Sequence, residues 1–232
     1  METAKSQLIE LNKIYNEDCL EGMKRIPDNS IDYTFTSPPY NRKRNDKYNN
    51  HDDSRADWFE FMSDTIDELK RITRKHIFFN VQKNYYNKND VFKLIGKYSE
   101  SIVEIIIWNK TNPMPASGNS ITNSYEFIIV LGDGALKSNT TYTKNVITTN
   151  VYSKNPYREV HRAVMHPELA KEVLTKFVQK GNSVLDPFMG VGTTAIACIE
   201  SGMSFTGFEL EKEYYDIAKE RIEQAEKLSE EE

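Results

Sequence analysis

The stretch Ser183-Val-Leu-Asp-Pro-Phe-Met-Gly-Val-Gly-Thr-Thr194 decides the fold. Its first residues have the apolar, branched content of a short buried strand, and Asp186-Pro187 ends it. Gly190 and Gly192 then permit a tight turn, and Ala195, Ala197 and Cys198 continue as a helix. Such a turn lets backbone approach a ligand closely and points the free N–H groups of the helix start at it. A second strand, Ser204-Phe-Thr-Gly-Phe-Glu209, closes on a carboxylate. An acid at that distance beyond a glycine turn is placed to accept both hydroxyls of a ribose. Two glycines alone open many helices; strand, Asp186, turn, second strand and Glu209 together point to nucleoside binding.

A comparable strand end lies far upstream. Ser30-Ile-Asp-Tyr-Thr-Phe-Thr36 reads as a short buried strand and runs into Ser37-Pro-Pro-Tyr40. Open α/β sheets place ligands where parallel strands end. Two consecutive prolines fix φ twice and remove two N–H donors, leaving a stiff loop of carbonyl acceptors between a hydroxyl and an aromatic ring. A planar amine can donate to the Ser37 hydroxyl and the Pro38 carbonyl while its ring stacks on Tyr40. Read without context, the same four residues also suit an ordinary proline-rich loop.

Between and around these two strand ends, periodicity supplies the remaining elements. Asn12 to Asn16 is a strand candidate, and Asp18 is placed to cap a helix carrying Leu20, Met23 and Ile26. Residues 41–56 are polar and aperiodic, as a mobile loop would be. Asp57 opens a helix with Trp58, Met62, Ile66, Leu69 and Ile72 on one face. A strand at Ile77–Val81 and a helix over residues 88–98 follow. Ile102–Trp108 and Tyr125–Leu131 are β-rich with no helix between them, so they pair antiparallel at a sheet edge. His166-Pro167 opens an amphipathic helix, and the last helix carries Tyr214, Ala218, Ile222 and Ala225. The pattern predicts a doubly wound, mostly parallel α/β sheet of about seven strands with an antiparallel edge hairpin, as one domain over residues 1–232. Residues 133–160 form a small insertion within it.

Composition bounds the rest. Two cysteines without metal-ligand spacing, no apolar run near membrane length and no signal-peptide core fit a soluble, cytoplasmic protein without a metal. The net charge is −5, but residues 209–232 alone hold ten acidic and four basic residues, a local −6 that leaves the remainder at +1. Positive charge gathers in Arg42, Lys43, Arg44 and Lys47 after the Pro-Pro loop, and in Lys137, Lys144, Lys154, Arg158 and Arg162 further on. These are candidate nucleic-acid contacts.

The tetrapeptide Ser37-Pro38-Pro39-Tyr40 resembles the catalytic motif of the DNA amino-methyltransferases, in which Asp, Asn or Ser precedes Pro-Pro and an aromatic. The run Asp186 to Thr194 is similar to their S-adenosylmethionine motif, with Val191 standing where Ser is usual. The resemblance implies a Rossmann-like fold and a cofactor site of Asp18, Cys19, His166, Asp186, Phe188, Gly190, Gly192, Thr193, Thr194 and Glu209. Within it, Asp18-Cys19 and Phe188 would lie near the adenine, Glu209 on the ribose and His166 near the methionine carboxylate. Trp108-Asn-Lys-Thr-Asn-Pro113 is likewise similar to a recurrent stretch of these enzymes. The catalytic motif precedes the cofactor motif, as in the circularly permuted β class, whose recognition insert here corresponds to residues 133–160. The implied partner is DNA, with a homodimer and a restriction endonuclease partner left open.

The implied chemistry is direct methyl transfer to the exocyclic amine of a flipped base. A leading Ser favours cytosine N4, with adenine N6 the alternative. Two rivals stand beside it. One is a non-catalytic nucleic-acid module on the same fold; the other is a methyltransferase for RNA or for a protein glutamine amide.

Overall fold

The computed structural model describes residues 8–42, 53–113, 115–151, 155–157, 159–160 and 164–230. Lys43, Arg44, Lys47, Lys154, Arg158 and Arg162 lie outside the described residues, as does most of the loop expected over residues 41–56. In chain order the elements are β1 (Lys13–Tyr15), α1 (Cys19–Met23), β2 (Ile31–Thr36), α2 (Trp58–Ile72), β3 (Thr73–Val81), α3 (Lys88–Lys97), β4 (Ile102–Lys110), β5 (Tyr125–Gly132), β6 (Val146–Thr149), α4 (Pro167–Phe177), β7 (Ser183–Asp186), α5 (Thr193–Glu200), β8 (Ser204–Phe208) and α6 (Lys212–Glu230).

Among the described residues one sheet holds eight strands in the order β1-β8-β7-β2-β3-β5-β4-β6. The chain leaves β7 through α5 for β8 on one side, and leaves β2 through α2 for β3 on the other. β2 and β7 are parallel neighbours, Tyr33 beside Val184 and Thr34 beside Leu185. The sheet therefore reverses its winding between these two strands, which opens a crevice beyond their carboxyl ends.

Alternation along each strand sends its residues to two cores. Tyr33, Phe35, Phe78, Ile106, Trp108, Ile128 and Val184 pack under α4, α5 and α6. Ile77, Phe79, Ile129, Leu131 and Leu185 pack under α1, α2 and α3, joined by Ile31 through a register irregularity between Ile31 and Tyr33. The α2 stripe is deepest, with Trp58, Met62, Leu69 and Ile72 fully buried. Cutting one of these aliphatic side chains to Ala costs about 2–5 kcal/mol.

The hairpin of β4 and β5 is antiparallel as expected, but it is not the outermost pair. β6, drawn from the stretch read as an insertion, adds parallel to β4 and makes an eighth strand. Four residues of alternating exposure are too short to stand out from polar surroundings. Asp57 occupies the N-cap position of α2 without a side-chain capping bond, because its carboxylate pairs with Arg55 instead. Asp18 does cap α1, accepting from Leu20 N at 2.9 Å and Glu21 N at 3.2 Å. No helix among the described residues is long and apolar enough to cross a membrane.

Candidate active site

The Pro-Pro loop is held from four sides. Trp58 Nε1 donates to the Pro39 carbonyl at 2.8 Å. Asn84 and Asn87 both donate through Nδ2 to the Tyr40 carbonyl, at 2.7 and 3.1 Å. Asp53 accepts from the Tyr40 and Arg42 amides, and the Arg42 guanidinium reaches Gln82. The Pro38 carbonyl, by contrast, accepts no hydrogen bond among the described residues.

Ser37 continues the alternation of Tyr33 and Phe35, so its side chain lies on the α4–α6 face. There it joins a buried polar group drawn from four strand ends. Ser37 Oγ and Tyr40 Oη are 2.7 Å apart, and Tyr40 Oη donates to Glu126 Oε2 at 2.9 Å. Asn80 Nδ2 lies 2.8 Å from both Tyr40 Oη and Glu126 Oε2, and 3.3 Å from Ser37 Oγ. Lys110 forms an ion pair with Glu126, their side chains only 9% and 4% exposed. The Lys110 ammonium also sits 4.7 Å from the centre of the Trp108 ring, and Trp108 Nε1 donates to Thr149 Oγ1 in β6. Burial, then the Glu126 charge, pushes the Tyr40 phenol well above its ordinary pKa, so it keeps its proton.

At the end of β7 the Asp186 carboxylate is turned inward. It accepts from Thr36 Oγ1 at 2.8 Å, Thr194 Oγ1 at 2.6 Å and the Phe188 amide at 3.0 Å. Burial raises its pKa to about 6. The Thr36 bond ties the two strand ends together one residue before Ser37. Gly190 and Gly192 take φ of +56° and +85°, the left-handed region that favours glycine. A Cβ on Gly192 would also come within 3.2 Å of Ala218 in α6. Thr193 Oγ1 is buried without a partner among the described residues. Beyond β8, Glu209 accepts from the Gly190 amide at 2.7 Å and the Glu211 amide at 2.8 Å. Burial pushes its pKa up to about 7.

Both strand ends open into one cavity of about 490 Å³, lined by Ser37, Pro38 and Tyr40 from the end of β2 and by Gly190, Thr193 and Glu209 from the ends of β7 and β8. Asp18, Cys19, His166, Asp186 and Phe188 line it too. His166 caps α4 through Nδ1, which accepts from Glu168 N at 3.1 Å. Phe188 meets Phe61 edge to face, ring centres 5.9 Å apart. Cys19 is a packing residue whose thiol burial pushes up to about 12, far from a reactive thiolate.

Of the described basic candidates, Arg42 lines the cavity, and Lys137 and Lys144 do not. The segment before Lys144 is anchored at Ser138 and Asn139 to carbonyls ending α4, where the chain approaches the amino end of β7 rather than its carboxyl end. Among the described residues no group of three or more His, Cys, Asp or Glu is placed to hold a metal.

A profile of the N6/N4 DNA methylase family matches residues 31–220. The chain belongs to this family. Among curated methylases it is 27% identical to the Type II methyltransferase M.HinfI of Haemophilus influenzae, over 91% of this chain and 68% of that protein. The fold of the PvuII DNA methyltransferase, described as cytosine-N4-specific, superposes with a TM-score of 0.74, covering 96% of this methylase and 93% of that chain at 15% identity. M1.HpyAVI, solved as a complex with SAM, superposes with a TM-score of 0.63 at 22% identity, covering 90% of this chain and 98% of the other. At those identities the likeness is one of fold.

Asn80, Lys110 and Glu126 are among the cavity residues to which the sequence analysis assigned no role of their own. The signal was present: a carboxylate inside the apolar run Tyr125–Leu131 and a lysine at the end of Ile102–Lys110. Buried charges of this kind are rare without a partner.

Proposed function

We propose that this methylase transfers the methyl group of S-adenosylmethionine to the exocyclic amine of a base flipped out of DNA, with cytosine N4 as the target. The observation that carries this reading is the shared cavity. Ser37 and Gly190, distant in sequence, both line the one cavity beyond the ends of the neighbouring strands β2 and β7.

The residues present fit the cofactor. Glu209 offers a carboxylate for a ribose diol, the left-handed glycines leave room for close approach, and Thr193 Oγ1 is a buried hydroxyl in need of a partner. Phe188 and Asp18 provide an apolar face and an acceptor for adenine, and His166 lines the same cavity beside Met165. When bound, the cofactor supplies an electrophilic methyl group on a sulfonium.

The chain's own work is on the amine. An exocyclic amine lone pair is delocalised into its ring and attacks poorly. Accepting both N–H bonds, at Ser37 Oγ and at the Pro38 carbonyl, which has no other donor among the described residues, draws the nitrogen toward tetrahedral geometry and frees that pair. Because Trp58, Asn84, Asn87 and Asp53 fix the loop, the acceptors are in place before the base arrives. Tyr40, its hydroxyl engaged inside, provides a fixed wall for the ring.

Cytosine is preferred because a leading Ser accompanies it in the resembling enzymes, and the PvuII enzyme of the same fold is described as cytosine-N4-specific. The test is mass spectrometry of nucleosides from DNA incubated with protein and S-adenosylmethionine. N4-methylcytosine is expected. N6-methyladenine alone would overturn the choice of base, and no methylated amine in DNA of any sequence would overturn the reading.

A further inference from the structure

Resting on that reading of Ser37, we propose that Glu126, held by Lys110, is a positioning residue that fixes the direction of the hydrogen bonds at Ser37 and so makes its oxygen an acceptor toward the target amine. A serine hydroxyl left to itself is ambivalent, since it donates as readily as it accepts. If its hydrogen pointed into the cavity it would meet the hydrogens of the amine, and the site would select a carbonyl instead.

The network removes that ambiguity by counting hydrogens. Glu126 faces the Lys110 ammonium through Oε1, and its Oε2 is an acceptor without a hydrogen to give. Tyr40, 2.9 Å away, must therefore give Oε2 its single hydrogen. With that hydrogen spent, Tyr40 Oη can only accept from Ser37 across the 2.7 Å between them. The hydrogen of Ser37 is thus directed away from the cavity, and a lone pair of Oγ remains for an incoming N–H. Asn80 reports the same polarity. Its Nδ2 is turned to Glu126 and Tyr40 although this leaves its Oδ1 buried without a partner among the described residues. Such an orphan is costly, so a strong acceptor must dictate the choice.

The register of the sheet explains how residues so far apart combine. Asn80 pairs with Ile128 and Trp108 pairs with Glu126, which sends Asn80, Trp108, Lys110 and Glu126 to the same face as Ser37. Thr149 of β6 holds the Trp108 ring on which Lys110 rests.

Glu126→Gln inverts this order while keeping shape. The ammonium draws the amide oxygen toward itself, which turns the NH₂ toward Tyr40. Tyr40 then accepts from Gln and donates to Ser37, and the hydrogen of Ser37 is pushed into the cavity. Tyr40→Phe cuts the chain instead and leaves Ser37 free to turn either way.

The experiment compares binding of two duplexes at the site found by sequencing methylated DNA. One carries the natural amine-bearing target, the other its carbonyl counterpart, uracil for cytosine or hypoxanthine for adenine. Comparing the affinity ratio between variants cancels the different cost of extruding each base. The ratio should shift toward the carbonyl base by at least about tenfold in E126Q, and by less in Y40F. The double variant should match Y40F. Turnover should follow, with kcat of E126Q down about 100-fold, the scale of one misdirected hydrogen bond at a reacting centre. It should recover to the Y40F level in the double variant, while calorimetric affinity for the cofactor stays put. An unshifted ratio in E126Q, or losses that add in the double variant, would overturn the proposal. Wild-type protein that methylates no amine would overturn the underlying reading instead, and nucleoside analysis of the wild type separates the two failures.

Discussion

Glu209 offers the sharpest handle on the cofactor pocket, because burial places its ionisation near neutrality, at about 7 against an ordinary value of 4.5. A ribose diol donates two hydrogen bonds, and only the ionised carboxylate accepts both without giving a proton of its own. Binding should therefore favour the charged form, lower the pKa and release a proton. At pH 6 about one carboxylate in eleven is ionised and at pH 8 about ten in eleven, so affinity for S-adenosylmethionine should rise about tenfold across that interval. Glu209→Gln removes the titration. It also turns an amide N–H toward one of two backbone donors, Gly190 N or Glu211 N, a conflict worth about 1–3 kcal/mol. Calorimetric titration at pH 6, 7 and 8, in two buffers of different ionisation enthalpy, reads both affinity and protons released. The wild-type slope beyond that shared with E209Q belongs to Glu209, since the ligand's own amine titrates in both. Identical slopes in the two proteins, or proton uptake at pH 6, would refute the reasoning.

Further outcomes follow from the same geometry. Gly192→Ala forces a left-handed φ of +85° on a residue with a Cβ and crowds Ala218. It should lose about 1–3 kcal/mol in urea unfolding and weaken cofactor binding, and an unchanged midpoint would contradict this. Trp58→Phe deprives the Pro39 carbonyl of its donor. In single-turnover assays it should slow methyl transfer more than it weakens cofactor affinity, because the slackened part is the amine-holding loop. Ser37→Ala and Tyr40→Ala should each reduce turnover about 100-fold or more with calorimetric cofactor affinity within about twofold of wild type. Near-normal turnover in either removes that residue from its role.

Much of this was legible because the two informative stretches are contiguous. Asp186 to Thr194 is strand, turn and helix cap in one run, and Ser37 to Tyr40 announces a rigid loop through its prolines. Composition showed both without any knowledge of register. Asn80, Lys110 and Glu126 were not legible, because their meeting depends on three strands pairing in a particular register. Within a single strand each reads as an isolated polar residue. β6 escaped for a related reason: its value lies in Thr149 holding Trp108, a contact made across 41 positions of chain. Asp186 shows the opposite case. Its place in the motif was evident, but not that its carboxylate accepts from Thr36, Thr194 and the Phe188 amide and so ties the two strand ends together at the cavity.

The most direct measurement is a crystal structure of the protein with a cofactor analogue and its target duplex. The account predicts an extruded base whose amine nitrogen lies within hydrogen-bonding distance of Ser37 Oγ and the Pro38 carbonyl oxygen, with the analogue's sulfur or its substitute on the Gly190 side of the same cavity. A base seated elsewhere, or a cofactor whose reactive centre turns away from Ser37, would contradict it.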